Sequence, residues 1–175
     1  MFVELNRLEA GRLDQRFEVD RENPVLAGFE AELREPMILD VQVGQLSGGM
    51  YLVSARISGA VVVPCRRCLQ PTAIPLEESF RVVYQEPGRD ALGSEEPGDD
   101  DIVWIERNAT RIELDEQVRD RLFLETDWYP LCRPDCQGIC PVCGQDLNVG
   151  SCDCRLEAVD TRWKALEGLD LEVEN

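Results

Sequence analysis

There is no histidine in the 175 residues of this chain. That absence removes the commonest general base, the usual partner of a nucleophilic cysteine or serine, and the usual ligand of a catalytic zinc ion. Lysine is nearly missing too: Lys164 stands alone among 18 basic residues, the rest being arginine. No stretch approaches the roughly 18 uninterrupted apolar residues of a membrane-spanning helix. The opening Met1-Phe2-Val3-Glu4-Leu5-Asn6-Arg7 carries both signs of charge, and no apolar run of the signal-peptide kind follows it. The expectation is a cytoplasmic protein with no membrane association. Positive charge is scarce, since 35 acidic against 18 basic residues give a formal net charge of -17. Nucleic-acid binding at ordinary salt rests on Lys and Arg meeting phosphate, so any contact with RNA must be local.

What the chain does have is eight cysteines. In a reducing cytosol stable disulfides are opposed, and the spacings point to metal: Cys65 and Cys68 form C-x2-C, Cys132 and Cys136 C-x3-C, Cys140 and Cys143 a second C-x2-C, and Cys152 and Cys154 C-x-C. Each pair is close enough for two thiolates to reach one ion, and eight sulfurs suit two closed tetrahedral zinc sites. Cys140-Pro141-Val142-Cys143-Gly144 has the form of a zinc knuckle. Gly144 can take positive φ without a Cβ clash, which turns backbone N–H groups toward the Cys140 sulfur. Cys152 and Cys154 complete that site across a short loop. The other site joins Cys65 and Cys68, at the end of a strand, to Cys132 and Cys136, just after a helix, and so staples distant segments. In the first knuckle Leu69 stands where glycine is common, so poorer hydrogen bonding to sulfur is expected there.

Alternatives to this pairing stay open at the level of sequence. Cys132, Cys136, Cys140 and Cys143 could form one local site. A thioredoxin-type C-x-x-C is disfavoured because Cys65 follows Pro64 rather than opening a long helix. An iron–sulfur cluster is a further option, against which the knuckle glycine argues. Sites made only of cysteine leave no open coordination position for water. No carboxylate pair has a catalytic context either, so neither enzymatic activity nor a small-molecule substrate is expected.

Met37, Leu39, Val41 and Val43 alternate with more polar residues, Ser47-Gly48-Gly49 supplies a turn, and Tyr51, Val53, Ala55 and Ile57 alternate again, predicting a β-hairpin. Ala60 to Val63 continues as a buried strand until Pro64. Ile74, Leu76, Phe80, Val82 and Tyr84 keep a period of two, interrupted by Glu78, and predict another strand pair. Residues 86–101 hold seven acids and one arginine amid Gly and Pro, the composition of a mobile surface loop. Ile102 to Ile105 is extended. Leu114, Val118 and Leu122 fall at helical spacing, predicting the main helix to about Thr126 with Asp115 as N-cap. Trp128-Tyr129-Pro130 stops it. Thr161 to Leu166 reads as one or two helical turns docking Trp163 and Leu166. The fold class is thus α+β: an antiparallel sheet, barrel-like or half-open, with one main helix (1–130), then a zinc-ribbon-like cysteine-rich lobe with a short C-terminal helix (131–175).

Val63-Pro64-Cys65-Arg66-Arg67-Cys68-Leu69, the acidic loop, Ile112-Glu113-Leu114-Asp115, Pro130-Leu131-Cys132 and Gly138-Ile139-Cys140-Pro141-Val142-Cys143-Gly144 with Leu147-Asn148 occur in an order that resembles the YceD-type family of large ribosomal RNA subunit accumulation proteins. The resemblance runs from about Met37 to Leu169. It implies a non-enzymatic role in accumulation or processing of large-subunit ribosomal RNA, through the RNA precursor or a ribosomal protein. It also implies that the Cys65/Cys68 site is the shared one and the second knuckle an elaboration. Arg66 and Arg67, between two ligands on a loop fixed by the ion, are candidates for RNA or partner contact, with Arg133 and Arg155 extending the patch. They serve equally well to balance thiolate charge. The alternative function is a zinc-ribbon interaction adaptor with no ribosomal role.

Overall fold

The computed structural model describes residues 1–87 and 102–155. Eight strands and one α-helix occur among them, with short 3-10 helices at Leu5–Arg7 and Pro24–Leu26: β1 Phe2–Glu4, β2 Arg12–Val19, β3 Glu32–Leu33, β4 Met37–Gln45, β5 Met50–Pro64, β6 Pro71–Gln85, β7 Ile102–Trp104, β8 Arg111–Glu113 and α1 Asp115–Glu125. The alternating residues of β4 and β5 form the predicted hairpin, with Leu39 opposite Ile57 and Val43 opposite Val53. The sheet runs β2-β4-β5-β6-β7, and β3 joins β5 beyond the start of β4. It is open rather than closed into a barrel, and every pairing in it is antiparallel except β6 with β7. A separate two-stranded piece pairs β1 with β8.

Where two strands are predicted from Ile74 to Tyr84, there is one. β6 runs unbroken for 15 residues, paired along its length with β5. Pro71 and Pro75 are tolerated because β7 covers only Val83 to Gln85 on the far side of β6. Along the rest of that edge, among the described residues, a missing N–H forfeits no ladder bond. β1, β2, β3 and β8 were not predicted from sequence, and β2 is the longest of them.

One face of the sheet is apolar. Met37, Leu39, Val41, Val53, Ile57, Leu76, Phe80 and Tyr84 lie buried there with Val118 and Leu122 of α1 and with Val3, Ile112 and Leu114. Gly59 is required where β5 passes the start of β4, since a Cβ there would stand 2.7 Å from Met37 Cγ. The helix begins differently from expectation. Leu114 occupies the N-cap position without a side-chain cap, and Asp115 is the first helical residue. Its carboxylate accepts from the Met1 amino group and sits at the positive end of the helix dipole. Phe29 packs edge-on against Phe123 and Trp128, at 5.3 and 5.1 Å between ring centroids, where the chain leaves α1.

β5 and β6 extend past this core and end at the pair Pro64 and Pro71. That end presents the Cys65 to Cys68 turn to the segment following α1. Most of the acidic loop, residues 88–101, and the C-terminal turns with Trp163 and Leu166 lie outside the described residues.

Candidate metal centre

Cys65 and Cys68 sit in a turn closed by Cys65 N–H donating to Gln70 O at 2.9 Å and Leu69 N–H to Cys65 O at 2.9 Å. Leu69 holds the position of the missing glycine by adopting φ 61 itself. Arg66 N–H donates to Pro130 O at 3.0 Å and Ile139 N–H to Arg67 O at 3.1 Å, which brings the chain after α1 against this turn. Gly138, at φ +80, permits that approach, because a Cβ there would lie 3.0 Å from Arg67 O.

The result is a quartet of Cys65, Cys68, Cys132 and Cys136, whose sulfurs all lie within 4.8 Å of one another. Cys65 and Cys136 sulfurs are 3.9 Å apart, and those of Cys68 and Cys132 are 3.5 Å apart. A single ion bound tetrahedrally at about 2.3 Å from each sulfur sets sulfur–sulfur separations of about 3.8 Å. The quartet therefore has the size of a one-ion site. Cys65 and Cys136 are fully buried, with Leu131 and Ile139 packed against them.

Cys140, Cys143, Cys152 and Cys154 make the second quartet, to the same 4.8 Å limit but more exposed. Gly144 has φ +74 and donates its N–H to Cys140 O at 2.8 Å, while Val142 N–H lies 3.4 Å from Cys140 Sγ. The grouping of Cys132 and Cys136 with Cys140 and Cys143 is not formed. Both quartets could hold a metal ion.

The sulfurs are electrostatically unequal. Burial alone raises the Cys65 thiol, but backbone N–H groups of Cys68, Arg67 and Cys132 hold it down at about 6. Cys132 N–H, from outside the knuckle, lies 3.4 Å from Cys65 Sγ. Hydrogen bonds from the Cys143 and Val142 backbones likewise hold Cys140 at about 6. Burial and the sulfurs of Cys68, Cys136 and Cys65 push Cys132 up to about 12. Cys154 is pushed to about 12 by its hydrogen bond with Cys143 together with burial. Cys65 and Cys140 are thus the sulfurs that backbone N–H groups favour as thiolates.

Of the four arginines singled out by sequence, two have internal partners. Arg67 Nη1 donates to Cys136 O at 2.8 Å. Arg133 donates through Nη2 to Asn148 Oδ1 at 2.8 Å and pairs with Asp135 at 3.4 Å. Arg66 and Arg155 are exposed. So are Leu69, Val142 and Val149, at 62%, 58% and 87%, an apolar set on the turns around the cysteines. Asn148, placed on Cys136 Sγ at 3.6 Å, entered the sequence analysis only through the family resemblance, because an asparagine in a turn carries no ligand or charge signature of its own.

Among the described residues no helix is long and apolar enough to cross a membrane. No solved structure matches the chain. A protein of Mycobacterium tuberculosis named as uncharacterized is 31% identical over 128 residues, covering 73% of this chain and 59% of its own length. The maize large ribosomal RNA subunit accumulation protein YCED homolog 1, chloroplastic, is 28% identical over 149 residues, covering 71% of this chain and 50% of its own. A Mycobacterium leprae protein, also named as uncharacterized, is 27% identical over 114 residues. The chain thus spans between about half and 59% of the length of these curated relatives. The model of the family described as large ribosomal RNA subunit accumulation protein YceD matches residues 53–170, from near the start of β5 through both cysteine quartets. By that match the chain belongs to the YceD family, whose name ties it to the accumulation of large-subunit ribosomal RNA.

Proposed function

We propose that this chain is a cytoplasmic, non-catalytic factor for accumulation of large-subunit ribosomal RNA, in which two zinc ions hold a ribbon-like lobe (131–175) on a sheet-and-helix body (1–130). Cys65, Cys68, Cys132 and Cys136 would ligate the first ion, and Cys140, Cys143, Cys152 and Cys154 the second. The observation that carries this reading is the pair of compact four-sulfur sets, each within 4.8 Å. Four thiolates saturate tetrahedral zinc and leave it no position for a reacting water. An iron–sulfur cluster, which contains several iron atoms, needs its cysteines spread more widely than one ion does.

The partner that fits best is a basic ribosomal protein. The chain's net charge is -17, and two of the four arginines near the cysteines are engaged by internal partners. An acidic surface accelerates encounter with a basic partner by electrostatic steering. Arg66 and Arg155, with exposed Leu69, Val142 and Val149, then supply a local contact surface.

Depletion of the protein tests the reading. Mature large-subunit RNA should fall relative to small-subunit RNA, and native capture of the tagged protein should enrich a large-subunit ribosomal protein in a ribonuclease-resistant manner. Unchanged RNA levels with capture of an unrelated complex would favour the adaptor alternative. Ribonuclease-sensitive capture would transfer the contact to precursor RNA.

A further inference from the structure

Between Cys143 and Cys152 the chain makes a tight turn around Asp146. Val149 and Gly150 N–H groups donate to its carbonyl at 3.2 and 3.3 Å, and Asn148 N–H to its Oδ1 at 2.8 Å. Asn148 belongs by sequence to the loop of the second quartet, but its side chain serves the first. Its Nδ2 donates to Cys136 Sγ at 3.6 Å and to Asp146 Oδ1 at 2.7 Å. Its Oδ1 accepts from Gln137 N–H and from Arg133 Nη2, both at 2.8 Å. Two donors and two acceptor sites are all that a carboxamide offers. Rotating the amide by half a turn would set NH2 against two donors and oxygen against a sulfur and a carboxylate, so the partners fix its orientation.

We propose that Asn148 couples the two quartets, so that closing the second site on a metal ion strengthens metal binding at the first. The inference rests on the reading that both quartets hold metal. The Asn148 turn is tethered at each end by second-site ligands, Cys143 before it and Cys152 after it. When those four sulfurs share one ion the loop between them is short and closed, and the amide is delivered to Cys136 already ordered. When they do not, the first site must bear the entropy of ordering the loop to gain the same N–H···S bond. Outer partners of ligands typically alter metal affinity by about 10- to 100-fold. Linkage makes the effect reciprocal, so the first ion strengthens the second site by the same factor.

The experiment uses the full chain loaded with Zn2+ and challenged with increasing chelator. Residue-resolved alkylation and mass spectrometry then give the occupancy of each quartet separately. C152S/C154S, which disables the second site, should lower the chelator midpoint protecting Cys65, Cys68, Cys132 and Cys136 by about 10- to 100-fold. N148A should lower it comparably, and adding C152S/C154S to N148A should lower it little further. N148D, which keeps the shape but sets a carboxylate against thiolate and Asp146, should be worse than N148A. Should both Asn148 variants lose the far-ultraviolet signal of the sheet, the comparison of C152S/C154S with wild type decides alone. A first-quartet midpoint unmoved by C152S/C154S, or moved as far in N148A as in wild type, overturns the coupling. Wild-type cysteines that zinc fails to protect at all would overturn the metal reading beneath it, a distinguishable result.

Discussion

The Arg67 guanidinium donates to the Cys136 carbonyl across 2.8 Å, tying residues 69 positions apart at the rim of the first quartet. Through it the arginine bonds the knuckle to the chain after α1 by way of a carbonyl rather than a sulfur. Its neighbour Arg66 is also exposed but shows no side-chain partner among the described residues.

Arg67→Ala is therefore expected to destabilise the loaded protein by about 1 to 2 kcal/mol, the range of a partly exposed hydrogen bond from a charged donor. Arg66→Ala should stay within about 0.5 kcal/mol, as for an ordinary surface change. Urea unfolding of the two variants side by side separates these outcomes. In ribosomal-protein capture the order should reverse, with Arg66 the more damaging substitution.

Gly138 and Gly144 share a left-handed backbone, at φ +80 and +74, but only Gly138 faces an obstruction. A methyl group at Gly138 meets Arg67 O at 3.0 Å, whereas at Gly144 nothing lies within 4 Å. Gly144→Ala should cost about 1 kcal/mol, the left-handed penalty alone. Gly138→Ala carries the same penalty plus displacement of the Arg67 backbone, and should cost more, at least about 2 kcal/mol. Equal losses in thermal unfolding would show that the close approach is unimportant.

Leu69 adopts the conformation that glycine adopts freely, with φ 61 and a side chain 62% exposed. Leu69→Gly should therefore stabilise the fold. Relief of about 1 to 2 kcal/mol of backbone strain outweighs the extra entropy glycine loses, about 0.5 to 1 kcal/mol. A fall in the urea midpoint would mean that the leucine side chain contributes packing. The same substitution should weaken partner capture if Leu69 belongs to the contact surface.

Tyr84 is buried, and its hydroxyl donates toward Gln117 Oε1 at 2.9 Å and Glu113 O at 3.2 Å. Burial, and secondarily the charge of Glu116, raises its ionisation well above the ordinary phenol value. The folded state keeps the proton where the unfolded chain releases it. This stability is complete below about pH 10 and is lost as pH rises further. Tyr84→Phe should cost about 1 kcal/mol at neutral pH through the lost hydrogen bond. It should also flatten the alkaline decline in stability, measured by urea titration between pH 8 and 11.

How much of this was legible in the sequence varies by element, for physical reasons. The hairpin Met37 to Ile57 showed itself because one of its faces is buried throughout, so the alternation is clean. β6 was split at Glu78, which stands half-buried on the inward face opposite Ile57 and interrupts the apolar alternation without interrupting the ladder. β2 was missed because Gln15 stands on its inward face between Leu13 and Phe17, spoiling the period. The four-and-four arrangement of cysteines followed from spacing. The internal engagement of Arg67 and Arg133 did not, because it depends on the Cys136 carbonyl and on Asn148, which folding brings close.

The two quartets differ in the amount of chain each must gather. The second lies within 140–154 and closes loops of about a dozen residues. The first joins residues 64 and 71 positions apart, at opposite ends of the sheet and helix. Loop closure makes the longer span dearer by about 1.5 kcal/mol. Its larger handicap is that β5, β6 and α1 must be in place before the four sulfurs can meet. During refolding with metal, the local quartet should therefore become protected first. Capture of an ion by the first quartet would then follow completion of the body, so reactive Cys65 and Cys136 would mark a chain whose first site has yet to close.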